Sequence, residues 1–344
     1  MHATPAESYL DAAATTPPLQ AVIDTIERVQ RTSWGNPSSL HNTGLASAET
    51  LERSRQSIAK LLGASPADLI STSGATESVH LALLGCLCDC PPGRLVISSV
   101  EHPAVSAVAA QLQRRGWQLE HWPVDHQGLI QMDQLDRLLA PPTQMVSVIW
   151  GQSEIGALQP VLAIGQACRD RGILFHTDAT QVLPHGRIDW QQLPIDLLSL
   201  SAHKLQGPRG IGLLLKQDHV TLTPLQGGGG QEQGLRSGTE PVALLAGLAV
   251  ALQGLPTFEP NSQSTPPGAF PRLRRQRDQL LSELLALPGV ELCGPSEDHR
   301  LPNHIALLLS SKRGHPISGR QMVRELAYRG VAVSSGSACS SGQS

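Results

Sequence analysis

The sequence predicts an α/β fold built on a largely parallel sheet, followed by a smaller α+β unit. Three observations carry this. Between Leu69 and Lys216, short apolar runs alternate with helical stretches, the pattern of successive βαβ units. The runs are bounded by turn residues and are apolar throughout, as strands buried on both faces must be. Residues 258–270 hold Pro, Ser, Asn and Gly without periodicity and read as a linker. The expected organisation is an N-terminal segment with a large domain over 1–257, the linker 258–270, and a small unfinished domain over 271–344.

The elements follow in order. Val22, Ile26 and Val29 mark a helix after Pro17-Pro18, and Leu51, Ile58, Leu61 and Leu62 a second. Leu69-Ile70 is a strand, and a helix carrying Val79, Leu81, Leu83 and Leu84 follows it. Leu95-Val96-Ile97 is a strand leading to a helix that starts near Pro103. Residues 145–150 form a strand, 164–171 a helix, and 173–175, 196–200 and 211–215 further strands. Residues 242–252 form a buried helix. In the small domain a helix over 273–287 precedes a strand at 305–309, a helix at 320–329 and a strand at 331–333.

A chain of 344 residues can bury a large core. Aromatic residues make up only 3%, so that core is built from Leu, Ile, Val and Ala. A net charge of −3 argues against nucleic-acid or anionic-membrane binding through bulk charge. The stretch 242–252 falls short of the ~18 apolar residues of a membrane span. No signal peptide precedes the first motif at Tyr9. Six cysteines do not make a disulfide scaffold, which points to a reducing, cytoplasmic setting. Cys86, Cys88 and Cys90 lack zinc-finger partners and read as small residues packing at a helix end.

Chemistry concentrates at strand ends, where open α/β sheets place their sites. His176-Thr177-Asp178-Ala179-Thr180-Gln181 and Ser201-Ala202-His203-Lys204 each follow an apolar run. An acid and a lysine facing one crevice are what pyridoxal phosphate chemistry requires: the lysine attaches the cofactor and the acid holds its pyridine nitrogen protonated. Taken alone, the two are equally a structural ion pair. Ser73-Gly74-Ala75-Thr76 opens a helix, where free amides and the helix dipole favour an anion; Ser73 or Thr76 as an ordinary cap is the plainer use. No nucleotide-binding glycine motif is present. His102, just before a helix, suits ring stacking and proton transfer, or capping. Cys339 lies in a Ser-, Gly- and Ala-rich loop that can carry a thiol in and out of a pocket; a disordered tail with an incidental cysteine is the alternative.

These segments, with Tyr9 to Pro17, Gly35-Asn36-Pro37-Ser38-Ser39, Glu101-His102, Glu154-Ile155-Gly156, Gly234 to Thr239 and Ser334 to Cys339, occur in the order found in one family. The chain resembles the cysteine desulfurases, pyridoxal phosphate enzymes of fold type I in the class V aminotransferase group. Its Ser-Ser-Gly-Ser-Ala-Cys loop is similar to that of the branch serving iron–sulfur cluster assembly. The resemblance implies that Lys204 carries pyridoxal phosphate, Asp178 pairs with its pyridine nitrogen and Gln181 with its phenolic oxygen, and His102 stacks on the ring. Thr76 and the backbone at Ala75 would bind the phosphate, helped by Ser201 and His203, while Thr239 reaches the phosphate of the neighbouring subunit in a homodimer. Cys339 would take sulfur from L-cysteine as a persulfide, leaving alanine, and pass it to an iron–sulfur scaffold or another acceptor. No metal is expected beyond a transient iron–sulfur contact at Cys339. Selenocysteine lyase or class V aminotransferase activity is the alternative within enzymes, and an inactive binding partner the alternative outside them.

Two departures from the family pattern stand out. Gln152-Ser153 occupies the place of an Asn-Asn pair, so a hydroxyl replaces an amide near the substrate. The chain also stops five residues after Cys339, ahead of the family's arginine that clamps the substrate carboxylate. The expectation is a shortened member that binds cysteine weakly unless another residue, such as Arg313 or Arg320, supplies the clamp.

Overall fold

A computed structural model describes residues 7–257, 271–311 and 313–336. The chain opens with β1 (Ser8–Tyr9), α1 (Gln20–Thr32) and α2 (Asn42–Leu61). The large sheet then builds through β2 (Leu69–Thr72), α3 (Ala75–Leu87), β3 (Arg94–Ser98), α4 (Pro103–Arg114), β4 (Gln118–Trp122), α5 (Leu135–Leu139), β5 (Thr143–Ser147), α6 (Val161–Arg169), β6 (Leu174–Asp178), β7 (Leu197–Ser201) and β8 (Gly212–Lys216). The spatial order is β2-β8-β7-β6-β5-β3-β4. β7, β6, β5, β3 and β4 run parallel, and β8 is antiparallel to both β7 and β2.

The expected parallel sheet is present, with β8 as its reversed member. The link from β7 to β8 spans only residues 202–211, shorter than a crossover to a parallel strand requires. β4 carried no signal in the sequence. It is an edge strand of mixed polarity whose residues before Trp122 are not buried.

Alternation along each strand feeds two cores. Leu95 and Ile97 join Val79, Leu83, Val105 and Leu214 on the face covered by α3 and α4. Val96 joins Phe175, Leu198, Leu213, Ile58 and Leu248 on the other. There α7 (Val242–Gln253) packs against α1 and α2. Gly247 permits that crossing, because a Cβ on it would come within 3.0 Å of Ile26.

The smaller unit comprises α8 (Pro271–Leu285), the antiparallel pair β9 (Val290–Leu292) and β10 (Leu307–Leu309), α9 (Gly319–Ala327) and β11 (Val331–Ala332). β11 pairs in parallel with β1, Ser8 opposite Val331 and Tyr9 opposite Ala332. The first described strand thus lies beside the last. Arg300, 1% exposed, ties the unit to the large domain by donating to the carbonyls of Ile155, Cys293 and Pro295. Burial and neighbouring Arg277 pull its pKa down to about 10, so it stays charged among those carbonyls. The segment 258–270 lies outside the described residues.

Candidate active site

The C-terminal ends of the parallel strands converge on one cleft of about 510 Å³. Its floor comes from β6 and β7. Asp178 ends β6 and is 5% exposed. Its Oδ1 accepts from the Thr180 amide at 3.0 Å, and Oδ2 has no hydrogen bond among the described residues. Behind it His176, fully buried, bridges Ser147 on β5 (2.8 Å) and Ser199 on β7 (2.9 Å). Burial pushes its pKa down to about 3, so the ring is a neutral strut that fixes the strand carrying Asp178. Thr177 Oγ1 adds a bond to Val148 O at 2.8 Å.

Lys204 sits one turn beyond β7. Its Nζ donates to the carbonyl oxygens of Ala13 (2.5 Å) and Ala14 (2.7 Å). Gln181 Nε2 donates to the same Ala13 oxygen at 2.8 Å. The segment that continues from β1 is therefore a bracket for the lysine. It is locked in turn by Thr16, whose amide and hydroxyl both donate to His203 O at 3.0 and 2.7 Å. His203 Nδ1 lies 3.0 Å from Thr15 Oγ1. Burial, with Lys204 and Arg209 beside it, holds its pKa at about 4, so the ring is neutral at pH 7.

One wall is the start of α3. Gly74 is its N-cap and brings no capping side chain, so the amides that follow are open toward the cleft. Neither Ser73 nor Thr76 caps the helix. Gly212 on β8 permits the close approach here: a Cβ would meet Leu200 O at 2.5 Å and the Gly74 backbone at 2.7 Å. The opposite wall holds His102, which does cap α4: Nδ1 accepts from the Ala104 amide at 3.1 Å. That bond leaves the ring proton on Nε2 in the neutral form. Glu101, next to it, accepts from Ser98 Oγ (2.5 Å) and the Ile149 amide (2.7 Å) through Oε1. Its Oε2 is buried without a partner. Burial is the main reason that its pKa rises to about 8.

Ala75, Thr76, His102, Asp178, Gln181, Ser201, His203 and Lys204 all line this cleft. Thr239 does not: it borders a second cleft of about 400 Å³ with Trp34, Asn36 and Glu240. Cys339 lies outside the described residues. Ser334 and Gly336, which precede it, line the first cleft. Ser153 lines it too, its carbonyl held 2.9 Å from His304 Nε2. Neither Arg313 nor Arg320 is among the lining residues, whereas Arg209 is. Sequence reasoning missed Arg209, although its setting in Gly207-Pro208-Arg209-Gly210, just after Lys204, was a usable signal. It also missed the carbonyl bracket, which a backbone contact gives no residue type to betray. No group of three or more His, Cys, Asp or Glu among the described residues is placed to hold a metal ion.

The profile describing class V aminotransferases matches residues 8–343. The chain belongs to that family. Curated relatives of this class V aminotransferase member are named cysteine desulfurases. One is the mitochondrial cysteine desulfurase of Saccharomyces cerevisiae, 37% identical over 97% of this chain and 65% of its own length. Another is the cysteine desulfurase IscS of Dictyoglomus turgidum, 36% identical over 97% of this chain and 82% of its own. Solved structures agree. A NifS-like protein superposes with a TM-score of 0.85 at 29% identity, covering 95% of this chain and 87% of that one. A structure titled SspA in complex with cysteine gives 0.82 at 31%, covering 97% and 91%.

Pyridoxal phosphate is the cofactor of this family. The donor set fits it: an amine, a carboxylate with one oxygen pinned and the other open, and an uncapped helix start share one cleft.

Proposed function

We propose that the protein is a pyridoxal-phosphate-dependent cysteine desulfurase that converts L-cysteine to L-alanine and carries the sulfur as a persulfide on Cys339. One observation carries this reading: Lys204 and Asp178 share a cleft with Ser334 and Gly336, the described residues that lead toward Cys339. Relatives named cysteine desulfurases support it.

In this reading Lys204 would hold the cofactor, with Asp178 serving the pyridine nitrogen, Gln181 the phenolic oxygen and His102 the ring. The amides at Ala75 and Thr76, with Ser201 and neutral His203, would hold the phosphate. Bound pyridoxal phosphate supplies an electron sink conjugated to the substrate carbons. Asp178 keeps a proton on the ring nitrogen, which sustains that sink. Lys204, in a cleft that also holds Arg209, would move protons at the substrate α-carbon. The Cys339 thiolate attacks the substrate sulfur. A sulfur–sulfur bond forms, the carbon–sulfur bond breaks, and its electron pair stays with the carbon, which takes a proton to become the methyl group of alanine. Arg209 gives the cleft a fixed cation for the substrate carboxylate.

The other described cysteines suit packing better than transfer. Burial raises Cys86 and Cys168 to about 12, where a thiolate is scarce at pH 7. All five described cysteines are unpaired, in keeping with a reducing cytoplasm. A homodimer is supported by apolar side chains left outside the fold, Trp34 at 72% and Leu40 at 90% exposed. Trp34 borders the cleft that holds Thr239, so the same face would bring Thr239 to the partner's phosphate. The sulfur acceptor is an iron–sulfur scaffold or another thiol-bearing protein. Among the described residues no helix is long and apolar enough to cross a membrane.

The test is an assay of purified protein with pyridoxal phosphate, L-cysteine and a thiol reductant. Alanine and sulfide in equal amounts are expected. Pyruvate, or a keto acid with no sulfide, would replace this reading with another reaction of the family.

A further inference from the structure

Glu77 is misplaced for a helix start that receives a phosphate. It lies in the first turn of α3 and lines the cleft. Its Oε2 reaches back to the Ser73 amide at 2.6 Å. A carboxylate there favours the helix itself, yet it lies beside the helix start that an incoming dianion would approach, and repels it. It remains ionised: burial raises its pKa, the bonds from Arg236 and Ser73 lower it, and the balance lies below the ordinary value.

Its charge is cancelled from far along the chain. Arg236 Nε donates to Oε1 at 2.7 Å and Nη2 lies 3.4 Å from Oε2. Both side chains are mostly buried, 20% and 26% exposed. Arg236 arrives from the segment that continues to Thr239. That segment is anchored by Glu232, 7% exposed, which accepts from Arg55 Nη2 (2.6 Å), from the Ser71 amide (3.0 Å) and from the Ser71 hydroxyl. Gln231 Oε1 accepts from the Gly238 amide at 3.0 Å and completes the anchor.

We propose that Arg236 is a positioning residue that keeps the α3 N-terminus receptive to phosphate by neutralising Glu77. This rests on reading that helix start as the site of the cofactor's phosphate. Cofactor affinity is then set in part by a pair outside the phosphate's own contacts, and it is coupled to the segment that bears Thr239.

The test titrates full-length protein, stripped of cofactor, with pyridoxal phosphate and with pyridoxal, which lacks the phosphate. Arg236→Gln should weaken pyridoxal phosphate binding about ten-fold or more while changing pyridoxal by less than about two-fold. Glu77→Gln should leave pyridoxal phosphate binding equal or tighter, and the double variant should recover to within about three-fold of the parent. Arg236→Lys, keeping the charge without the fork, should fall between parent and Arg236→Gln. If Glu77→Gln weakens binding as much as Arg236→Gln, or if both ligands suffer equally, the pair is a structural pin and the proposal is overturned. If the parent protein prefers pyridoxal phosphate no more than pyridoxal, the phosphate site itself is misassigned.

Discussion

Asp178 and Ser201 stand at the ends of strands buried on both faces and held in register by two neighbours each, whereas Ser334 and Gly336 reach the same cleft from a strand two residues long. The floor is over-determined. His176 alone ties three strands together behind Asp178. The rim hangs on a short ladder, and the segment bearing Thr239 on a few side-chain anchors. Groups that need a fixed angle to a ring are set on the sheet. A thiol proposed to serve both a pocket and an outside acceptor needs the reach of a loop.

Substitutions at the floor and the rim should therefore fail differently. Lys204→Ala removes the amine on the floor. Activity and the cofactor's visible absorbance should both vanish in spectra taken after reconstitution, and persistence of that absorbance would count against a lysine attachment. Cys339→Ser tests the proposed sulfur carrier. Sulfide release should cease while the cofactor spectrum and thermal midpoint match the parent, and a shifted midpoint would assign Cys339 to packing instead.

Asp178→Asn keeps the shape of the floor and removes the charge proposed to hold the ring nitrogen protonated. Turnover should fall about 100-fold or more, with cofactor still bound. Gly212→Ala strains the floor from beneath by pressing a methyl group on Gly74 and Leu200. It should cost about 1–3 kcal/mol by denaturant titration, and a neutral result would mean that β8 and α3 can separate freely.

Acid provides the gentlest contrast. His176, His185, His203 and His304 all have pKa values depressed by burial, to about 3, 4, 4 and 4. Below pH 6.5 the unfolded chain takes up protons that the folded one refuses, so stability falls as pH drops from about 6.5 toward 4. Glu101, raised to about 8, opposes this: its contribution is full below 4.5 and is lost as pH rises through 8. Four groups outweigh one, so the thermal midpoint should drop between pH 7 and 5. His176→Gln should flatten that slope, and an unchanged slope would remove His176 from the account.

The floor was largely legible because its residues follow apolar runs: Asp178 and Lys204 announce themselves by type and by position after a strand. Thr76 was legible through Gly74 and the helix behind it. The rest depends on distance. Nothing near Glu77 in sequence signals Arg236, 159 positions on. The lysine bracket uses main-chain oxygens of Ala13 and Ala14, which carry no side-chain signature. β8 resembled its parallel neighbours because burial sets composition and says nothing about direction; only the ten-residue link from β7 carried that information. Ser153 was noted as a departure, but its support by His304 arises across the boundary between the two units.

The pairing of β1 with β11 has a consequence for assembly. The seven strands of the large sheet lie between residues 69 and 216, and they are complete in a nascent chain well before Val331 and Ala332 emerge. Domains fold as units in the order of synthesis, so this sheet can close first, with Asp178 and Lys204 already at its edge. The ladder that steadies Ser8 and Tyr9 forms only when the distal strand arrives. On one side it leads to the carbonyls that grip the lysine, and on the other to the segment preceding the thiol. A half-made chain thus has the sheet without the yoke, and the same late event that steadies the amine also brings Ser334 and Gly336 to the cleft.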